Sequence, residues 1–109
     1  MTFDEYQKKS RETAVYPNLG KNIVYPTLGL AGESGEVAEK VKKIIRDNGG
    51  VVNDERKTLL EGELGDVLWY VAQIASELNT SLDAIASKNI EKLFSRKERG
   101  KISGDGDTR

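Results

Sequence analysis

Proline interrupts this chain in one place only. Its two prolines, Pro17 and Pro26, bracket a single irregular stretch near the start, and no other occurs in the 109 residues. Proline removes a backbone donor and clashes with the preceding turn, so its absence leaves long segments free to run as continuous helix. Thr2 followed by Glu5 reads as a capping box, opening a first helix that extends to about Tyr16. Residues 17–27 read as a loop. A second helix is expected to begin near Thr27 or Leu28 and to stop before Gly49-Gly50, with Leu30, Val37, Val41, Ile44 and Ile45 as its buried stripe. Asn53 or Asp54 can cap a third helix through about Leu78, whose stripe is Leu60, Leu64, Val67, Leu68, Val71, Ile74 and Leu78. Thr80 with Asp83 reads as the cap of a fourth helix that ends near Gly100. No strand pattern competes, and the expected fold is an all-α four-helix bundle. Residues 1–100 form the expected domain, and 101–109, polar and Gly-rich, a flexible tail.

Composition narrows what such a bundle can do. Apolar residues make up 37% of the chain, thin for a single small core, so an oligomer that shares its core is expected. Lys and Arg number 17 against 18 Asp and Glu, which leaves no global basic field for a nucleic-acid polymer. Cysteine and histidine are both absent. That excludes disulfides, thiolate or imidazole metal sites, and any nucleophile activated by histidine. A metal bound here must be a hard cation held by oxygen. The apolar runs are too short to cross a bilayer, and Met1-Thr2-Phe3-Asp4-Glu5 lacks signal character, so a cytoplasmic protein with no membrane partner is expected.

The residues that carry chemistry are acidic. Gly32-Glu33-Ser34-Gly35-Glu36 lies on the second helix and Gly62-Glu63-Leu64-Gly65-Asp66 on the third. Each places two carboxylates one turn apart on one face, where like charges repel by roughly 0.2–0.5 kcal/mol. Glu63 also falls on the apolar stripe, between Leu60 and Val67, where it is badly desolvated unless something positive meets it. The bland alternative is a set of ordinary helix-surface ion pairs. It suits Glu36, with Lys40 four residues on, and Glu39, with Lys43; Glu33, Glu63 and Asp66 have no cation three or four residues away. Nor do Glu63 and Asp66 sit near enough to the helix start to complement its dipole. Each carboxylate follows a glycine, and each helical glycine forgoes about 0.8–1.0 kcal/mol relative to alanine. Close helix packing would explain the glycines and would also bring the two pairs within reach of one ion cluster. Carboxylates without nitrogen or sulfur suit Mg²⁺ or Mn²⁺, whereas di-iron bundles need a Glu-x-x-His that this chain cannot supply.

The stretch from Tyr25 to Glu39 (Tyr-Pro-Thr-Leu-Gly-Leu-Ala-Gly-Glu-Ser-Gly-Glu-Val-Ala-Glu) and Glu63-Leu64-Gly65-Asp66-Val67-Leu68-Trp69-Tyr70 together resemble the MazG nucleotide pyrophosphohydrolases. These belong to the all-α NTP pyrophosphatases, marked by Glu-x-x-Glu on one helix and Glu-x-x-Asp on the next. The similarity covers nearly the whole chain. One departure is that many members carry a Glu doublet where this chain has Gly32-Glu33. The resemblance implies a MazG-like bundle completed by oligomerisation, as a homodimer or a dimer of dimers. It implies hydrolysis of a nucleoside triphosphate to monophosphate and pyrophosphate, in the house-cleaning of non-standard or surplus nucleotides. Glu33, Glu36, Glu63 and Asp66 are then the catalytic, Mg²⁺-binding set. One of them, or Glu39, would accept the proton of the attacking water.

Residues 88–101 hold six cations against two anions. A solvated face or a complement to the helix C-terminus accounts for most such runs. Lys92 and Arg96, one turn apart, are also placed to clamp phosphates. Family members similarly put an Asn and a basic residue on this helix toward the nucleotide, and Asn89 and Lys92 match best, with Lys88 and Arg96 behind them. Tyr70 lies one turn beyond Asp66, where relatives often have an aromatic against the base; Trp69 points some 100° away and reads as core or interface. Tyr16 and Tyr25 fit either a base contact from a neighbouring subunit or plain packing, and Arg109 in the tail could close over bound phosphates. Two rival readings stand beside this one: a dedicated dUTP or dCTP pyrophosphatase, and a non-enzymatic helical interaction module with a structural divalent metal.

Overall fold

Capping geometry decides where each helix of this chain begins. In the computed structural model, which describes all 109 residues, the elements in order are α1 (Phe3–Glu12), α2 (Val24–Asn48), α3 (Asp54–Glu77) and α4 (Leu82–Glu98). Thr2 accepts from the Glu5 N–H at 3.1 Å while its hydroxyl donates to the Glu5 carboxylate at 3.2 Å, closing the expected box. Asn53 caps α3 by accepting from the Arg56 N–H at 2.9 Å. Gly49, at φ 58°, takes the left-handed conformation that stops α2.

Three boundaries differ from expectation. First, α1 stops at Glu12 rather than near Tyr16, because Thr13 turns its hydroxyl onto the Ser10 carbonyl at 2.7 Å and Tyr16 is drawn inward. Second, α2 begins at Val24, so Pro26 lies inside its first turn, where its missing N–H leaves nothing unpaired. Asn22 supports that start by accepting from the Tyr25 N–H at 3.0 Å. Third, Ser81 and not Thr80 caps α4, accepting from Ala84 at 3.0 Å. Thr80 is not free to cap, since its own N–H still closes the end of α3 on Ala75 at 3.0 Å.

The long helices α2 and α3 form an antiparallel hairpin, and α1 and α4 pack on α3. The core sits at one end of the hairpin, where Ala72, Ala75 and Leu82 are buried with Tyr6 and Val71 packed against them. Beside it lies a clasp built on Glu77. Its carboxylate accepts from Arg11 at 2.6 Å, the Tyr16 hydroxyl at 2.6 Å, the Gly20 N–H at 2.9 Å and the Asn22 N–H at 2.6 Å, tying residues 13–23 to α3.

The expected apolar stripes are only partly covered. Ile44 is buried and Leu30, Val37, Leu60, Val67, Val71 and Ile74 are half-buried, but Val41, Ile45, Leu64, Leu68 and Leu78 remain exposed, Ile45 at 65%. Each long helix has a single long neighbour, which covers one flank of a stripe and leaves the other open. No helix is long and apolar enough to cross a membrane. Residues 101–109 form no regular element, yet they are tethered: Asp107 pairs with Lys92 at 2.7 Å and Arg96 at 3.2 Å, and Arg109 donates to the Ile102 and Gly106 carbonyls at 2.6 and 2.7 Å.

Candidate metal centre

The pairing of α2 with α3 sets the site, and Gly29 is a point of close approach within it. A Cβ there would lie 2.1 Å from Tyr70 Cε1, so only glycine lets the ring seat against α2. From that contact the antiparallel register brings Glu33, one turn on in α2, level with Asp66 and Glu63 of α3. One carboxylate oxygen from each of these three residues lies within 4.8 Å of the others. Glu33 and Glu63 are half-buried and Asp66 is exposed. The carboxyl of Glu33 is pushed above its ordinary value, first by desolvation, then by contact with Glu63 and the charges of Asp66, Glu63 and Glu36.

A single cation answers these charges. Lys40 reaches from α2 to Glu63, Nζ to Oε1 3.1 Å. The sequence reading matched Lys40 with Glu36 and Lys43 with Glu39; instead Lys40 crosses to α3, and Glu39 pairs with Lys42 at 2.7 Å. Inter-helix geometry outcompetes the neighbouring turn because Glu63 points into the hairpin and is the less hydrated acceptor. Glu36 is exposed and stands outside the three-residue group, close enough to raise Glu33. The fit to a hard divalent ion rests on this donor set: converging oxygens on two rigid helices, short of positive charge.

The four glycines beside the carboxylates do not mediate close packing within the chain. A Cβ at Gly32, Gly35, Gly62 or Gly65 would meet nothing within 4 Å. The glycine that carries the close approach is Gly29, which the sequence reading did not single out.

Tyr70 joins the site as half-buried neighbour. Its hydroxyl titrates above the ordinary value through desolvation and the nearby Tyr25, Glu33 and Asp66. Trp69 turns away, donating from Nε1 to the Thr13 hydroxyl at 2.8 Å and meeting Tyr70 edge-on with centroids 5.0 Å apart. Tyr16 is buried and stacks on Tyr25 at 4.9 Å, its hydroxyl committed to Glu77, which is a packing role.

The basic candidates on α4 lie elsewhere. α4 packs on α1 and α3 and not on α2, and of Lys88, Asn89, Lys92 and Arg96 none forms an ion pair or hydrogen bond with the carboxylate cluster, whose one paired cation is Lys40. Lys88 and Asn89 are exposed; Lys92 and the buried Arg96 hold Asp107. Glu77 was also absent from the sequence reading. A signal for it existed: an acid as the last residue of a helix opposes the dipole and needs a compensating partner.

The comparisons with known proteins follow this geometry. A family model described as the MazG nucleotide pyrophosphohydrolase domain matches residues 26–100, a span that takes in α3, α4 and nearly all of α2. The chain is also similar to the protein named Gene 37 protein of Mycobacterium phage L5, at 48% identity with the whole of both chains covered. No solved structure matches it.

Proposed function

Because the chain belongs to the MazG nucleotide pyrophosphohydrolase domain family, we propose that it is a Mg²⁺-dependent enzyme that cleaves nucleoside triphosphates to monophosphate and pyrophosphate. The observation that carries this reading is the meeting of Glu33, Glu63 and Asp66 oxygens within 4.8 Å across two helices, with only Lys40 to oppose them. With Glu36 beside them they would hold Mg²⁺ or Mn²⁺, which when bound supplies phosphate charge neutralisation and an activated water.

The chain's own residues do the rest. The carboxylates are presented from helices rather than loops, so they are placed before substrate arrives. Tyr70, seated on Gly29 next to the cluster, offers a flat apolar face for the base. Glu39 is a poor proton acceptor, since Lys42 holds its carboxyl below the ordinary value. Asn89, Lys92, Lys88 and Arg96 would serve a nucleotide bound to a second copy of the chain. The exposed apolar faces of α2 and α3 support such a homo-oligomer, a dimer or dimer of dimers. House-cleaning of surplus or non-standard nucleotides in the cytoplasm is the role that fits.

The test is incubation with Mg²⁺ and a panel of ribo- and deoxynucleoside triphosphates, following monophosphate and pyrophosphate. Cleavage of several bases is expected; cleavage confined to dUTP or dCTP would mark the narrower enzyme. Failure to release pyrophosphate from any triphosphate, with Mg²⁺ or Mn²⁺, would remove the reading.

A further inference from the structure

We infer that the cavity between the second half of α2 and the first turns of α3 is a binding site for a polyphosphate anion, and that it receives the phosphates that leave as pyrophosphate. The inference rests on the proposed pyrophosphohydrolase activity for its role, and on the cavity alone for its ligand class.

The cavity measures about 220 Å³ and is lined by Lys40, Lys43, Ile44, Arg56 and Leu59. Three of these five carry positive charge and none carries negative charge. Glu63 is met by Lys40 of the cavity itself, and two further carboxylates are engaged by cations outside the lining. Glu39 pairs with Lys42 at 2.7 Å, and Asp47 is gripped by Arg46 through two contacts of 2.7 and 2.8 Å. Neither Lys43 nor Arg56 forms an ion pair.

Helix geometry works against these cations, with Asp47 a partial counter-charge to Lys43 and Arg56. Lys40 and Lys43 stand one turn apart on the same helix, a repelling arrangement. Arg56 sits in the first turn of α3, where the helix dipole disfavours a cation. The same dipole, answered in part by Asp54 and Glu55 of that turn, favours an anion over a cation. Buried Ile44 gives the cavity an apolar floor, against which charge–charge attraction is less screened.

Its position assigns the anion. Lys40 lines the cavity and also touches Glu63 at 3.1 Å, so the cationic cavity opens directly beside the carboxylate cluster. Along the hairpin the order is Tyr70 on Gly29, then the carboxylates, then Lys40, Lys43 and Arg56. An aromatic face, an ion-holding centre and a cationic pocket in that sequence match base, scissile region and terminal phosphates. The volume is below the roughly 300 Å³ at which ordinary small-molecule pockets begin, which suits a compact anion and not a nucleoside.

Calorimetric titration of the full chain with inorganic pyrophosphate, in the absence of divalent ions, tests the site apart from catalysis. The wild-type chain should bind, and Lys43→Gln with Arg56→Gln should weaken binding about tenfold or more. Arg56→Lys should retain most of it, which controls for damage to the fold. In turnover assays the double variant should also raise the inhibition constant of pyrophosphate. A wild-type chain that does not bind pyrophosphate, or a folded double variant that binds it equally well, overturns the inference. Pyrophosphate bound through Lys43 and Arg56 by a chain that cleaves no triphosphate would uphold the site and sink the hydrolase reading. Turnover with inhibition indifferent to both residues would do the reverse.

Discussion

Glu63 and Glu77 are the same residue type on the same helix, and their surroundings are opposites. Glu77 collects four donors from α1 and the loop after it, and its side chain is 1% exposed. Burial alone would raise its pKa, but hydrogen bonds from Tyr16, Asn22, Arg11 and Gly20 outweigh burial and hold it at about 2. Glu63 has one lysine and two neighbouring carboxylates. The first site is electrostatically complete, and its charge is spent on fastening the 13–23 loop. The second is short of positive charge and can be completed only from outside. A buried charge with all its partners reads as architecture, and a cluster lacking them reads as a place for a ligand.

The largest expected effect separates the two directly. Glu63→Gln should lower pyrophosphate release by about 10²–10³-fold, as for loss of a group that stabilises charge in the transition state. Its thermal stability without metal should stay within about 0.5 kcal/mol of wild type, because repulsion is relieved as the Lys40 pair is lost. Glu77→Gln should behave in the opposite sense, costing roughly 3 kcal/mol of stability and about 12 °C or more in melting temperature. A Glu77 variant that melts like wild type would erase the contrast.

Acid should expose the same difference. Glu77 has a folded pKa depressed from 4.5 to about 2, so its contribution is fully present above the ordinary carboxylate range and fades as pH falls from about 4.5 toward 2. The stability gap between wild type and Glu77→Gln, followed by urea denaturation, should narrow across that window. Next in size, saturating Mg²⁺ should stabilise wild type by about 1–3 kcal/mol and leave Glu63→Gln unmoved, as read by melting temperature with and without chelator. The smallest pair concerns glycine. Gly29→Ala must displace Tyr70 and should cost about 1–3 kcal/mol. Gly62→Ala meets nothing within 4 Å and should gain about 0.8–1.0 kcal/mol in the dilute chain, where any apposed copy has dissociated.

Much of this was legible in the linear chain. The helix count, the caps at Thr2 and Asn53, the stop at Gly49 and the two acidic pairs all follow from local rules acting over three or four residues. The family resemblance, carried by the segments around Glu33 and Glu63, is the one that the domain match returns. Local reading failed where partners lie far apart in sequence. It matched Lys40 to its own helix, overlooked Gly29, and passed over Glu77, whose terminal position was a signal but whose donors begin 55 residues away.

Sequence alone therefore determined the all-helical character and which acidic side chains share a helix face, because backbone geometry maps short spacings onto one side of a rod. Only the tertiary structure decided that Glu33, Glu63 and Asp66 converge while Glu36 stays outside them, that Lys40 is their counter-charge, and that α4 stands apart from the cluster. Those outcomes depend on the register in which α2 meets α3, of which the close seating of Tyr70 against Gly29 is one part. Register is a property of two surfaces in contact, and no spacing along one strand of text encodes it.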